Sequence, residues 1–350
     1  MNNQAIVLTA GTLHTPSAKT AHGLIRDSQR FQIMAVVDNE HSGKDAGEIL
    51  DGKHRQIPVT ATLDQALALS PEAKWCIVGV ATLGGVFPES MLEDIKNAIR
   101  RGLSIVNGLH DHLNERPDFV ALAKEYGVEL IDIRLPKKRA DSHFWTGEIF
   151  SLRAPIIAVI GMDCAMGKRT TTRFIMHACQ QAGINAQMVY TGQTGWLQGG
   201  KYGFVFDSTL NDFISGELEH AIVSCYRETQ ADVILLEGQS GLRNPSGPCG
   251  SELLLSGNAR HVILLHAPKR RFFEDDPEWG EIPPVESEIA LIKMYGSEVI
   301  ALALNTDGCS VEDAFAFQKE YTERLGIPVL LPLEEGIDKI VPVIQKLIRP

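Results

Sequence analysis

No two cysteines of this sequence stand in a C-x-x-C pair; the six, Cys76, Cys164, Cys179, Cys225, Cys249 and Cys309, are scattered along it. A paired redox motif is excluded, and reduced, mostly structural thiols are expected. No window approaches the roughly 18 apolar residues of a membrane span. The opening MNNQAIVLTAG passes from a polar start into a strand pattern with no basic n-region and no long apolar h-region. A cytoplasmic protein with no membrane partner is the expectation. Positive charge is scarce as well: 33 Lys and Arg face 44 Asp and Glu, a formal net charge of −11. A nucleic-acid surface needs clustered cations to displace counterions from phosphates, so a small-molecule partner is favoured over nucleic acid. Aromatics make up only 7%, and there is neither a repeat of fixed period nor a low-complexity tract.

What is present reads as packed α/β protein: 44% apolar and 22% charged residues, with 31 Gly and 17 Pro. A length of 350 residues suits about two cores. Apolar runs at 5–9, 33–37, 74–80, 103–106 and 128–133 alternate with helical patterns at 18–27, 89–101 and 119–126, the signature of a parallel, doubly wound sheet. Periodicity then fails in PKKRADSHFWTGEIFSLRA and restarts at Pro155. The expected division is a Rossmann-like domain at 1–135, a linker at 136–154 and a P-loop NTPase-like domain at 155–350, both sheets mainly parallel. Strands of the second are expected at 156–160, 186–190, 233–236, 261–266, 298–304 and 328–331.

The segment AVIGMDCAMGKRTTTRF sets Gly161 at the end of a buried strand and Gly167-Lys168 at the start of a helix. Unpaired N–H groups at a helix start, a glycine-bearing approach and a lysine charge together hold a polyphosphate. Gly161, Cys164, Ala165, Met166, Gly167, Lys168, Arg169 and Thr170 are therefore the candidate phosphate-binding residues. The spacing is one residue longer than the common G-x-x-x-x-G-K-[ST] and, with Asp163 early in the loop, resembles that of dethiobiotin synthetase and its relatives. After the lysine, where Ser or Thr would hold Mg²⁺, stands Arg169. Thr170 is one place late, turned by about 100 degrees on a helix. No metal site is expected; gripping a pyrophosphate is the better use of such a loop.

ADVILLEGQSGL is a buried strand ending in Glu237, where an acid faces the ligand crevice and either holds a metal through water, takes a proton, or is satisfied by local N–H groups. Thr191-Gly192-Gln193-Thr194-Gly195 is polar and glycine-dense after another strand, and its backbone is expected to approach a ligand. Asp207 follows an apolar run; 212–219 reads as a helix whose acidic face is as readily solvated as functional. Asn305 ends an apolar strand, where related P-loop domains read adenine. In the first domain G-x-G-x-x-G is absent, so Asp38 alone does not make a ribose site and NAD is disfavoured. Lys19, beside His14 and Thr20, stands where an anion could be met or at a solvated helix start. His110-Asp111-His112 lacks an evident third metal ligand. The 137–139 basic run reads as solvated linker.

Taken together, Ala18-Lys19-Thr20-Ala21, Asp132-Ile133-Arg134, the loop from Gly161 to Lys168, Thr191-Gly192-Gln193-Thr194-Gly195 and Glu237-Gly238-Gln239 resemble the D-glutamate N-acetyltransferase family, long known only as a domain of unknown function with a Rossmann-like and a P-loop part. The resemblance spans almost the whole chain. It implies acetyl transfer from acetyl-CoA to the amine of D-glutamate, ahead of a deacetylation route of D-amino-acid catabolism, by an enzyme expected to be a homodimer. The loop would then grip the CoA phosphates with Asn305 near adenine. Direct attack of the amine on the thioester is the expected chemistry, with Glu237 as base and Asp163 or Asp207 in reserve, and Cys164 a filler rather than an acetyl carrier. Lys19, Arg134, Gln193, Gln239 and Arg243 are the candidate substrate contacts. An ATP- and Mg²⁺-dependent ligase or kinase, and a nucleotide-binding regulator without chemistry, are the alternatives.

Overall fold

The computed structural model describes residues 3–348 and divides them into two units, the first running to Lys137 with Gln193–Gly199 added, the second comprising Lys138–Gly192 and the chain from Gly200 onward. The expected linker is therefore largely part of the second unit, and a short piece of the second half belongs to the first.

The first unit is a six-stranded parallel sheet in the order β3-β2-β1-β4-β5-β6. Its strands are β1 (Gln4–Leu8), β2 (Gln32–Val37), β3 (Val59–Thr60), β4 (Trp75–Val78), β5 (Ser104–Asn107) and β6 (Leu130–Asp132). Helices α1 (Lys19–Arg26), α2 (Ala46–Asp51), α3 (Leu63–Leu69), α4 (Glu89–Arg100) and α5 (Pro117–Tyr126) connect them. Side chains alternate across a strand, so the apolar runs feed two cores. Ile6, Leu8, Val37, Val78 and Ile105 pack with Met91, Ile95 and Phe119 on one face. Ala5, Val7, Val36, Ile77 and Val106 pack with Leu24 and Ile25 on the other. That second core also receives Leu197, fully buried, from a short helix of residues 193–197, a burial that stabilises by about 2 kcal/mol. Gln198 fastens the same segment, donating from Nε2 to the carbonyls of Gly23 and Asp27 at 2.8 and 2.9 Å.

The second unit is a seven-stranded parallel sheet ordered β13-β12-β11-β7-β10-β8-β9. It contains β7 (Ile156–Gly161), β8 (Ala186–Tyr190), β9 (Tyr202–Gly203), β10 (Val233–Glu237), β11 (His261–His266), β12 (Glu298–Leu304) and β13 (Val329–Leu330). The helices from the P-loop onward are α6 (Lys168–Gln181), α7 (Gln193–Leu197, the short helix of the first unit), α8 (Asn211–Thr229), α9 (Ser251–Leu255), α10 (Val285–Met294), α11 (Val311–Leu325) and α12 (Val341–Ile348). Central β7 is buried at every residue, which is why its sequence is an unbroken apolar run.

On α8 Asp212 is exposed, whereas Glu217 and Glu219 are buried and turn toward the chain. Glu217 accepts from the His143 amide at 2.8 Å, and Glu219 accepts from the Thr146 and Ile149 amides at 2.6 and 3.2 Å. Two buried carboxylates thus pin the aperiodic segment through its backbone. Lys138 and Arg139, by contrast, are exposed. Among the described residues no helix is long and apolar enough to cross a membrane.

Candidate functional site

In the second unit, β7 delivers Gly161 to the middle of the sheet's carboxyl edge, and the loop 162–167 turns into α6 through two left-handed residues, Ala165 (φ 50°) and Gly167 (φ 88°). Met166 anchors the loop in the core, while Ala165 is exposed. Lys168 opens α6 and folds back over the loop, its Nζ donating to the carbonyls of Asp163 at 2.6 Å and Ser240 at 2.7 Å.

Asp163 is fully buried and saturated. Its Oδ1 accepts from the Cys164 amide (2.7 Å) and Asn244 Nδ2 (2.6 Å), and its Oδ2 from Arg270 Nη1 (3.1 Å) and the Glu274 amide (2.8 Å). Four donors on two oxygens leave no lone pair for a proton in flight. Asp163 is a tie that shapes the loop, which removes it as a reserve base. Cys164 is half-buried, with Sγ 3.4 Å from the Ser240 hydroxyl; burial first, and a hydrogen bond with Glu274 second, push its pKa up. It therefore remains a thiol, poorly suited to carrying an acyl group. Asp163, Cys164 and Glu274 are the one group among the described residues with metal-capable atoms all within 4.8 Å of one another. The Arg270 guanidinium already supplies positive charge there.

Glu237 ends β10, 4% exposed, with Oε2 accepting from the Thr191 amide at 3.3 Å. Burial raises its pKa, against the pull of Arg169, the Thr191 amide, Lys168 and Arg173. Three cations of α6 thus act on one buried carboxyl group. Arg173, itself 8% exposed, was not among the residues the sequence pointed to; its signal was the spacing of four from Arg169, which puts both on one helix face. Thr170 is half-buried on the next face, and Thr172 returns its hydroxyl to the Lys168 carbonyl at 2.7 Å. Beside Glu237, the Thr191 hydroxyl donates to the Glu237 carbonyl at 2.8 Å and accepts from Gln239 Nε2 at 3.0 Å. A Cβ on Gly192 would lie 2.8 Å from that Nε2, so the Gln239 side chain closes over this glycine.

Other candidates fall elsewhere. Asp207 is exposed in a turn, Phe206–Ser208, whose Phe206 amide bonds the Thr191 carbonyl at 2.9 Å. Arg243 is committed to Glu288 of α10, with Nε 2.6 Å from its Oε2, and to the Ser287 hydroxyl at 2.8 Å. Its charge serves a buried carboxylate, so it is not a cation held ready for substrate. Asn305 stands two strands from β7, its Oδ1 accepting from the Asp307 amide at 2.9 Å.

In the first unit Arg134, buried, donates to the Gly108 carbonyl at the end of β5. A Cβ on Gly108 would come 2.9 Å from Gln193, so Arg134, Gly108 and Gln193 form one corner of that sheet's carboxyl edge. Lys19 is exposed at the first turn of α1. His110 and His112 do not build a metal site with Asp111, whose carboxylate is paired with Arg116 at 2.6 Å. Asp132 instead organises the loop after β5, accepting from Asn107 Nδ2 at 2.7 Å and the Leu113 and Asn114 amides at 3.1 and 2.9 Å.

A Rossmann-like unit and a P-loop unit, the latter with an arginine after the loop lysine, define a two-domain α/β protein. The comparisons agree in detail. Residues 143–341 match the P-loop domain, and residues 39–136 the Rossmann-like domain, of the domain of unknown function DUF1611. The chain belongs to the DUF1611 family. A D-glutamate N-acetyltransferase of a Pseudoalteromonas species is 30% identical over 77% of this chain and 80% of its own. Another of that name, from Tritonibacter scottomollicae, is 28% identical over 80% of this chain and 83% of its own. A DUF1611 protein of known crystal structure from Anabaena variabilis, 26% identical, superposes with a TM-score of 0.89 over 99% of this chain and all of its own.

Proposed function

We propose that this protein transfers the acetyl group of acetyl-CoA to the amine of D-glutamate, with the P-loop gripping the CoA diphosphate. The names of the two relatives support the reaction. The observation that carries the cofactor's place is Arg169, standing where a magnesium-holding hydroxyl belongs and acting, with Lys168 and Arg173, on buried Glu237. Charge-assisted hydrogen bonds from lysine and arginine neutralise a diphosphate directly. Transfer of a γ-phosphoryl group calls instead for a held Mg²⁺.

In this reading the loop amides, Lys168 and Arg169 hold the phosphates. Glu237 balances and orients the cations, and Thr191, Gly192 and Gln239 fix Glu237. D-Glutamate carries two carboxylates and is best met by separate cations. The amine attacks the thioester carbon, the C–N bond forms, and the C–S bond breaks to release CoA.

One assay tests this. Enzyme, acetyl-CoA and D-glutamate are mixed without added metal and free thiol is followed, beside a parallel reaction with ATP and Mg²⁺. Thiol release in the first is expected. ADP release that depends on metal, with silent thiol, would establish the ligase or kinase alternative; silence in both would point to a regulator.

A further inference from the structure

Residues 143–150 of the second unit lie along α8, and more holds them there than a linker requires. Buried Glu217 and Glu219 accept from the His143, Thr146 and Ile149 amides. Gly216 lets the segment lie flat on the helix, since a Cβ there would come 2.1 Å from the His143 carbonyl oxygen. Trp145 Nε1 donates to the Ser256 carbonyl, just past α9, at 3.2 Å. A buried carboxylate is costly unless its hydrogen bonds are made, so the backbone is fixed at these points. Phe144, between them, is presented to solvent with little further ordering left to a partner.

What the segment presents is apolar. Phe144 is 69% exposed and meets Phe213 of α8 edge-on, with 6.1 Å between ring centroids. Trp145 meets Phe150, 60% exposed, in the same way at 5.7 Å. Leu210, 52% exposed, shares a hollow with Phe144 and Phe213, and Leu255, 53% exposed, precedes the Ser256 that Trp145 binds. Apolar side chains exposed singly need no explanation, whereas a contiguous aromatic patch marks an interaction site. Phe144, Phe150, Leu210 and Leu255 together present on the order of 400 Å². One partner in a standard interface gives about 800 Å², of which roughly 57–65% is apolar. This one face therefore supplies most of the apolar area a stable dimer needs.

Charge selects the occupant. The hollow is also lined by Arg139 and Asp212, both exposed and opposite in sign. A face built for a strongly charged partner would carry one sign. A two-fold interface presents the same patch to itself, so each group on it must meet its complement across the axis. We propose that this face is the contact between two copies of the chain, with Phe144 and Leu210 packed across the axis and Arg139 of each copy paired with Asp212 of the other. All these residues belong to the second unit. Oligomeric state is measured without substrate, so the outcome is independent of the acetyl-transfer reading.

The test is sedimentation equilibrium of the full chain, with melting temperature measured for every variant. Wild type is expected to be a dimer at micromolar concentration. F144D should raise the dissociation constant by about 100-fold or more and, because the side chain is exposed, leave a folded monomer. R139E and D212R should each weaken the dimer by about tenfold by setting like charges opposite, and the double variant R139E/D212R should recover to within about threefold of wild type. Such recovery is what a pair across the axis gives and general damage to the fold does not. A wild type that stays monomeric at about 100 µM, where even weak specific dimers are populated, overturns the proposal, as a face kept for a different partner would. A dimer that F144D and both single reversals leave intact overturns it as well.

Discussion

The ammonium of Lys168 lies 2.6 Å from the carbonyl oxygen of Asp163, so the helix-opening lysine closes the loop that leads into it. A diphosphate in this loop competes for the same Nζ. Removing that charge should therefore weaken CoA binding more than it weakens the fold. Lys168→Met and Arg169→Ala are each expected to reduce CoA affinity by about 10- to 100-fold, the equivalent of 1.5–3 kcal/mol for a charged hydrogen bond. Calorimetric titration of CoA checks this, and unchanged affinity in both variants would remove the P-loop from the cofactor site.

Glu237 gives a test that separates two roles. As an organiser of Arg169, Lys168 and Arg173 it should be replaceable by Gln at a cost in kcat of less than about tenfold, since Gln keeps a side-chain oxygen to accept from the Thr191 amide. As the base it should lose about 10²–10⁴-fold in kcat with CoA binding spared. Steady-state kinetics of E237Q decides between them, and the smaller loss is expected.

His266 ends β11, buried, with Nε2 2.9 Å from the Tyr321 hydroxyl. Burial first, then the Arg324 charge, lower its pKa to about 4. An unfolded histidine titrates near 6.5, so the unfolded chain binds this proton first. Stability linked to neutral His266 is fully present above about pH 6.5 and is lost as pH falls toward 4, by about 3 kcal/mol in all. Denaturant midpoints for wild type should fall across that window, and those of H266Q should fall less.

Gly238 follows Glu237 where β10 runs beside β7. A Cβ there would lie 2.5 Å from the Val159 carbonyl oxygen and 2.9 Å from the Ile160 Cα. Both neighbours are backbone of the central strand and cannot step aside. Gly238→Ala should cost about 2–3 kcal/mol, read as a lowered urea midpoint, and should also disturb Glu237 and Gln239 on either side.

Much of the frame was legible beforehand. Parallel strands covered on both faces must be apolar throughout, so β1, β2, β4, β7, β10, β11 and β12 all announce themselves as short hydrophobic runs. Two-residue strands such as β3, β9 and β13 carry too little pattern for that, and of these only β13 was anticipated. The segment 193–199 looked like a continuation of its own domain. Only the packing of Leu197 into the core it shares with Leu24 and Ile25 explains why it joins the other unit.

The same division runs through the site. A phosphate loop is made of consecutive residues, with a buried strand, a glycine turn and a helix start each following from the one before. Its presence and its arginine are therefore properties of the sequence by itself. What Asp163 does was decided elsewhere. Its partners Asn244, Arg270 and Glu274 lie 81, 107 and 111 positions away along the chain. They meet it only because β7 lies between β10 and β11 and the loops after those strands converge on one edge. Hydrogen bonds of that separation leave no periodicity to read, since each donor is placed by a different strand. Whether a carboxylate is a base or a tie therefore belongs to the tertiary structure, while the loop that would hold the phosphates belongs to the sequence.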